Sequence, residues 1–175
     1  MSSQHQNICE TQRLLLRQLE LDDAAFILEL LNEPSFLANI GDKGVRDLAG
    51  ARQYISLGPR ASYAEHGFGL FLVQLKADAT PMGICGLIKR EGLDAPDIGY
   101  AFLPRFWSQG YAIEAASAVM IYAQETLGLS RIVAITAPEN HASIRVLNKL
   151  GLRFDRMIQL PGAATESRLF IPDKE

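Results

Sequence analysis

The segment Gly99-Tyr-Ala-Phe-Leu-Pro-Arg-Phe-Trp-Ser-Gln-Gly-Tyr-Ala-Ile-Glu-Ala115 constrains this chain more than any other. An apolar strand runs into Pro104, a short turn follows at Gly110, and an alanine-rich helix starts directly behind it. The first N–H groups of a helix lack acceptors within it and lie at the positive end of its dipole, so a helix entered through glycine is suited to phosphate. Gly110 lets a bulky ligand approach the backbone, and the small Ala112 leaves the helix end unshielded. The plainer alternative is that Gly110 only makes a strand-to-helix turn.

The surroundings narrow the choice of phosphate ligand. A Walker loop would end in Gly-Lys-Ser/Thr, which is absent, and a dinucleotide fingerprint would put three glycines directly after the first strand. Here the turn follows the fourth expected strand. Downstream, Pro138-Glu-Asn-His-Ala-Ser-Ile-Arg-Val-Leu-Asn-Lys-Leu-Gly-Leu152 sets Asn140 and Ser143 three apart at the mouth of a second helix.

Composition excludes several classes. The 175 residues suit a single domain spanning the whole chain, with residues 1–10 expected as a flexible tail. With 48% hydrophobic and 21% charged residues, the chain fits neither disorder nor a fibrous repeat. A net charge of -3 argues against nucleic acid as a partner. Cys9 and Cys85 form neither a disulfide framework nor a metal cluster, and no metal-ligand spacing occurs elsewhere. The N-terminus lacks the order of a secretory signal, and no run of about 18 apolar residues suggests a membrane span. A cytoplasmic location, as monomer or homodimer, is the expectation.

The expected element order is strand, helix, helix, strands, helix, strand, helix, strands. Leu14–Leu16 reads as a strand, and Asp22 or Asp23 caps a helix bearing Phe26, Ile27, Leu30 and Leu31, ended near Pro34. A second helical region carries Val45, Leu48, Ala51 and Ile55, with an interruption at Gly58-Pro59 and a resumption from Ala61 to Glu65. Phe68–Lys76 and Met82–Lys89 read as an antiparallel hairpin weakened by Gly83 and Gly86, and Ile98–Leu103 as the next strand. A helix from Tyr111 to Leu127 presents Ile113, Ala116, Met120, Ala123 and Leu127 to the sheet and closes at Gly128. Strand Ile132–Ile135, a helix from Asn140 to Leu150, and strands near 154–158 and 168–171 complete an α/β mixed sheet with helices on both faces.

With these residues in place the chain resembles the Gcn5-related N-acetyltransferase (GNAT) superfamily, and within it the RimJ/RimL-like branch. Three stretches carry the resemblance in the family's order: Thr11-Gln-Arg-Leu-Leu-Leu-Arg17, Ile98 to Ala115, and Asn140 to Gly151. It implies the GNAT-type acyl-CoA N-acyltransferase fold, a central, mostly antiparallel sheet of about seven strands. It also implies acetyl-CoA as cosubstrate and an amine acceptor, either a protein N-terminus or a small molecule. The cosubstrate's pyrophosphate would lie on the N–H groups of Ser108, Gln109, Gly110, Tyr111 and Ala112. Main chain at Phe102 and Leu103 would pair with its pantetheine arm, and Asn140 would hydrogen-bond the same region. Trp107 stands where the wider family has Gln or Arg, which leaves the backbone cradle unaffected.

Amide formation needs a neutral amine, a polarised thioester carbonyl and a proton for the departing thiolate. Many family members supply that proton from a Tyr seven residues after the Asn, but position 147 is Leu. Ser143 is the matched candidate for hydrogen-bonding the sulfur; alternatively it bonds only backbone in the first helical turn. Asp97, on one strand face with Gly99 and Ala101, is the candidate base, or else a solvated loop residue. Glu65, His66 and Glu166 are acidic or basic alternatives without a motif, while His5 and His141 read as surface residues. Trp107 either walls the acceptor channel or packs. Phe68, Phe71 and Tyr100 read as core or pocket lining, and Arg145 and Lys149 as a solvated helix face or a phosphate contact.

No cysteine lies near the matched motifs, so direct transfer in a ternary complex is expected over an acetyl-enzyme. The competing readings are an acetyltransferase of a polyamine, drug or amino-acid conjugate, and a non-catalytic acyl-CoA-binding module.

Overall fold

A computed structural model describes residues 6–174. Five antiparallel strands form the first sheet in chain order: β1 (Asn7–Glu10), β2 (Leu14–Arg17), β3 (Leu70–Leu75), β4 (Pro81–Ile88) and β5 (Asp97–Phe102). A second sheet has the order β6-β8-β7, from β6 (Ala134–Thr136), β7 (Leu152–Ile158) and β8 (Ser167–Pro172). The sheets meet at one parallel bridge, Asp97 to Val133. The expected single sheet of about seven strands is therefore eight strands split at its centre.

The added strand is β1, which pairs with β2 through residues expected to be a flexible tail. Met1–His5, the rest of that tail, lie outside the described residues. As a consequence the Gly110 turn follows the fifth strand, not the fourth.

Both faces of the first sheet are covered, which explains the unbroken apolar runs of β3 and β4. Phe71 and Val73 face one core with Leu87, Ile98 and the helix α5 (Tyr111–Glu125). Leu72 and Ile84 face a second core formed with α1 (Ala24–Leu31) and α3 (Leu48–Ile55). On α5 the fully buried positions are Ala115, Ala116, Val119 and Ala123, so the packed stripe is turned slightly from the one expected. Ile113, Met120 and Leu127 lie at its margins.

Prolines and glycines expected to break elements prove to shape them. Pro34 opens α2 (Pro34–Asn39) at a position where its missing N–H costs nothing. Asn32 ends α1 instead, donating to the carbonyls of Leu28 and Val45 at 2.8 and 2.9 Å. At Gly58-Pro59 the helix does not stop; it widens into a π turn, Ser56–Arg60, and continues as α4 (Ala61–His66). In β4 a Cβ at Gly86 would fall 2.0 Å from the Gly69 carbonyl oxygen, so glycine here permits close strand approach.

Candidate active site

The parallel bridge decides the geometry of the site. The Ile98 N–H donates to Val133 O at 2.9 Å and the Val133 N–H to Pro96 O at 3.0 Å; past this point β5 and β6 diverge. Alternation along β5 then turns the peptide groups of Tyr100 and Phe102 toward the gap and those of Gly99 and Ala101 toward β4. An extended amide-bearing ligand can add to such an unpaired edge.

Of the two residues expected to pair with the pantetheine arm, Phe102 faces the gap and Leu103 does not. The Leu103 N–H is committed to Met82 O at 3.0 Å and its carbonyl to the Phe106 N–H at 2.9 Å, because Leu103 still belongs to the ladder. The Phe102 carbonyl accepts from the Trp107 indole at 2.8 Å. Tyr100 and the Phe102 N–H are the edge groups facing the gap. Trp107 is 48% exposed and so acts as a tether across the turn, not as core packing.

At the wide end of the gap the turn is built as an anion cradle. Ser108 and Gly110 are both left-handed, with φ of 59° and 82°, and Gly110 starts α5. The first bond inside α5 is Glu114 N–H to Gly110 O, which leaves the N–H groups of Tyr111, Ala112 and Ile113 without helical acceptors. Gln109 closes the turn by donating to Arg105 O at 3.1 Å. Arg13, at the start of β2, donates to Gln109 O at 3.0 Å and lies 4.2 Å over the Tyr111 ring. Its guanidinium also binds Glu114, which Thr11 holds at 2.6 Å. This explains the opening Thr-Gln-Arg motif, which by itself assigned no role to either residue.

Asn140 caps α6 (His141–Lys149), its Oδ1 accepting from the Ser143 N–H at 3.2 Å. This leaves its Nδ2 as the donor for a ligand. The Ser143 hydroxyl does not turn back on the helix: it lies 2.8 Å from the Tyr100 hydroxyl, reached from β5. Burial pushes the Tyr100 phenol up to about 12 despite the Ser143 bond, so it remains protonated. Leu147 is buried in the core, so its position points away from such chemistry.

Asp97 is not a solvated loop residue. It is 1% exposed and accepts from Arg90 Nε at 2.9 Å. Burial raises its carboxyl to about 6, against the opposing pull of Arg90. Alternation along β5 puts Asp97 on the face toward α1 and α3, and Tyr100 on the face toward α5 and α6.

A single cavity of about 990 Å³ joins these groups, lined by Asp97, Tyr100, Phe102, Trp107, Ser108, Gly110, Tyr111, Ala112, Asn140 and Ser143. Leu103 and Gln109 are outside its lining. Glu65 and His66 line its other end and lie 3.7 Å apart. Glu166 is exposed away from the cavity, His141 pairs with Glu139 at the surface, and Phe68 and Phe71 are core. His5 lies outside the described residues. Arg145 and Lys149 line the cavity while remaining exposed. Neither thiol is available as a thiolate at neutral pH: burial raises Cys9 to about 11 and Cys85 further still.

Residues 13–153 match the family model of the acetyltransferase (GNAT) domain. The chain belongs to the GNAT family. The N-acetyltransferase YnaD of Bacillus subtilis, itself uncharacterised, is 32% identical over 143 residues, 82% of this chain and 81% of YnaD. The GNAT acetyltransferase structure from Bacillus anthracis superposes with a TM-score of 0.78 at 26% identity, covering 97% and 99% of the two chains. A RimL ribosomal alpha-N-protein acetyltransferase solved with coenzyme A shares the fold, with a TM-score of 0.81 at 17% identity over 97% and 100%. In this GNAT domain the left-handed turn at Ser108 and Gly110 lies at the end of the strand that bridges to Val133 through Asp97. Arg13, Glu114, Arg90 and the pairing role of Tyr100 are the site residues that sequence reading did not supply.

Proposed function

We propose that this acetyltransferase transfers acetyl from acetyl-CoA to a primary amine, with the α-amino group of a protein N-terminus as acceptor, directly within a ternary complex. The observation that carries the reading is the single cavity running from the Ser108–Ala112 cradle, past the Tyr100–Ser143 pair, to Asp97. The name of the RimL neighbour, an alpha-N-protein acetyltransferase, supports the choice of acceptor.

Acetyl-CoA supplies an activated acetyl thioester when bound. The cradle N–H groups of Ser108, Gly110, Tyr111 and Ala112 hold its pyrophosphate, and Tyr100, Phe102 and Asn140 hold the arm. Asp97 takes the proton that the amine loses as the new C–N bond forms, through a water on the α1/α3 side. Ser143 donates a hydrogen bond to the sulfur on the opposite side as the C–S bond breaks, stabilising the leaving thiolate, which takes its proton from solvent while Asp97 releases to solvent the one it received from the amine. A small amine is the second reading, and the roughly 990 Å³ cavity accommodates one.

The test is release of free CoA from acetyl-CoA across a panel of N-terminal peptides and amine metabolites, with mass spectrometry of the product. Acetyl on peptide α-amino groups supports the reading. Turnover only with small amines moves it to the second one.

A further inference from the structure

The acceptor end of the cavity holds a set of donors without acceptors. Arg90 follows β4 and is locked by one edge: its Nε donates to the buried Asp97, and its side chain stays 34% exposed. Among the described residues nothing accepts from its two terminal nitrogens, from the Lys43 ammonium or from the Tyr54 hydroxyl. All three side chains line the same cavity. Lys43 and Tyr54 both lie within electrostatic reach of Arg90, and for Lys43 that neighbour is a like charge. Two cations against the one carboxylate of Asp97 leave a net positive charge at this spot. Lys89 adds to it, while Glu33 and the Glu65–His66 pair also line the cavity.

We infer that the acceptor amine carries a carboxylate, held by the Arg90 fork, Lys43 and Tyr54. The inference rests on the acetyltransfer reading above and specifies its substrate class. A guanidinium fixed at Nε presents its remaining N–H groups as a planar fork, which suits bidentate carboxylate binding. Asp97 is then a positioning residue for Arg90 as well as the neighbour of the reacting amine. A polyamine would set its second charge against Lys43 and Arg90, so polycations are disfavoured. A carboxylate of this kind occurs on an acidic residue near a protein N-terminus and on a free amino acid.

The experiment compares kcat/KM for matched acceptors: peptides with Asp or Glu in the first two positions against their Asn or Gln isosteres, glutamate against its amides, and spermidine. The acid should exceed its amide by about tenfold or more, since the amide gives up the charge-assisted bonds to the Arg90 fork and Lys43. Arg90→Lys and Lys43→Glu should each erase most of that preference while leaving the KM for acetyl-CoA unchanged. A preference for acidic peptides identifies an acidic N-terminus as the source, and a preference for glutamate a free amino acid. Equal use of acid and amide, or better use of spermidine, overturns the inference. Absence of turnover with every acceptor counts against the acetyltransfer reading alone. Calorimetry of the same acceptors on the protein–CoA complex then still decides this one, equal affinity for acid and amide overturning it.

Discussion

Arg13 reaches across 101 positions of sequence to Glu114, pinning the start of β2 to the first turn of α5. Their contact is 2.6 Å, and the Arg13 main-chain N–H also donates to Glu114 at 3.0 Å. Burial alone would raise the Glu114 carboxyl, but hydrogen bonds from Thr11 and Arg13 outweigh it and hold the group below its usual value. A carboxylate beside an anion cradle is thereby neutralised before any ligand arrives.

Replacing Glu114 by Gln should weaken acetyl-CoA binding and lower stability by about 1 kcal/mol, because the pair is partly exposed. A carboxyl depressed in the folded state stabilises above its unfolded value and loses that contribution as pH falls. The difference in Tm between wild type and Glu114→Gln should therefore be largest at neutral pH and shrink below about pH 4. Thermal melts from pH 3 to 8 check this.

Gly110 has φ of 82°, and a Cβ there would sit 3.4 Å from Arg13 Nη2. Gly110→Ala should cost about 1 kcal/mol or more of stability through left-handed strain and weaken acetyl-CoA modestly. Gly110→Glu adds an anion to the cradle and should abolish binding by calorimetry at a Tm close to that of the Ala variant. Unchanged affinity in the Glu variant would remove the cradle from the cofactor site.

Tyr100 and Ser143 face each other at 2.8 Å, and the protonated phenol can donate to the serine oxygen while the serine donates to sulfur. Ser143→Ala should lower kcat by about 10- to 100-fold with little change in the KM for acetyl-CoA. Tyr100→Phe should cost less. In the double variant the losses should fall short of additive, as for groups acting in series. Full additivity in the cycle would show two independent roles.

Asp97, raised to about 6, must be ionised to accept a proton. Wild-type kcat/KM should fall as pH drops through about 6, since the protonated acid cannot serve as a base. In Asp97→Asn that limb should vanish, with activity lost at neutral pH and partly recovered at high pH, where free amine abounds. A pH–rate profile that keeps the limb in the variant rejects the role of base.

Arg17 closes the same opening motif by a structural route. It is 6% exposed, donates to Gln74 at 2.9 Å and grips both oxygens of Asp23, whose carboxylate also accepts from the Glu20 N–H at the 3-10 turn Leu21–Asp23 that leads into α1. Arg17→Ala strands a buried carboxylate and should cost about 3–5 kcal/mol. A Tm lower by roughly 10 °C is expected for a chain of this size.

The strand–turn–helix around Gly110 and the cap at Asn140 were legible because each depends on residues within a few positions: a left-handed glycine, unpaired first-turn N–H groups, a side chain that caps its own helix. The periods of β3, β4 and α5 were legible for the same reason, whereas the π turn at Gly58-Pro59 was not. A proline's local penalty is visible in sequence, and the packing that offsets it by burying Pro59 is not.

Most of the elements, the turn at Gly110 and the likeness to acetyltransferases thus follow from local backbone geometry and side-chain period, whereas β1 and α2 do not. The split of the sheet at Asp97, the meeting of Tyr100 with Ser143, the hold of Arg13 on Glu114 and the shared cavity of Arg90, Lys43 and Tyr54 come from the folded chain. Each of these joins residues distant in the chain, and which of them meet is fixed by strand register and by the faces that the two cores bury.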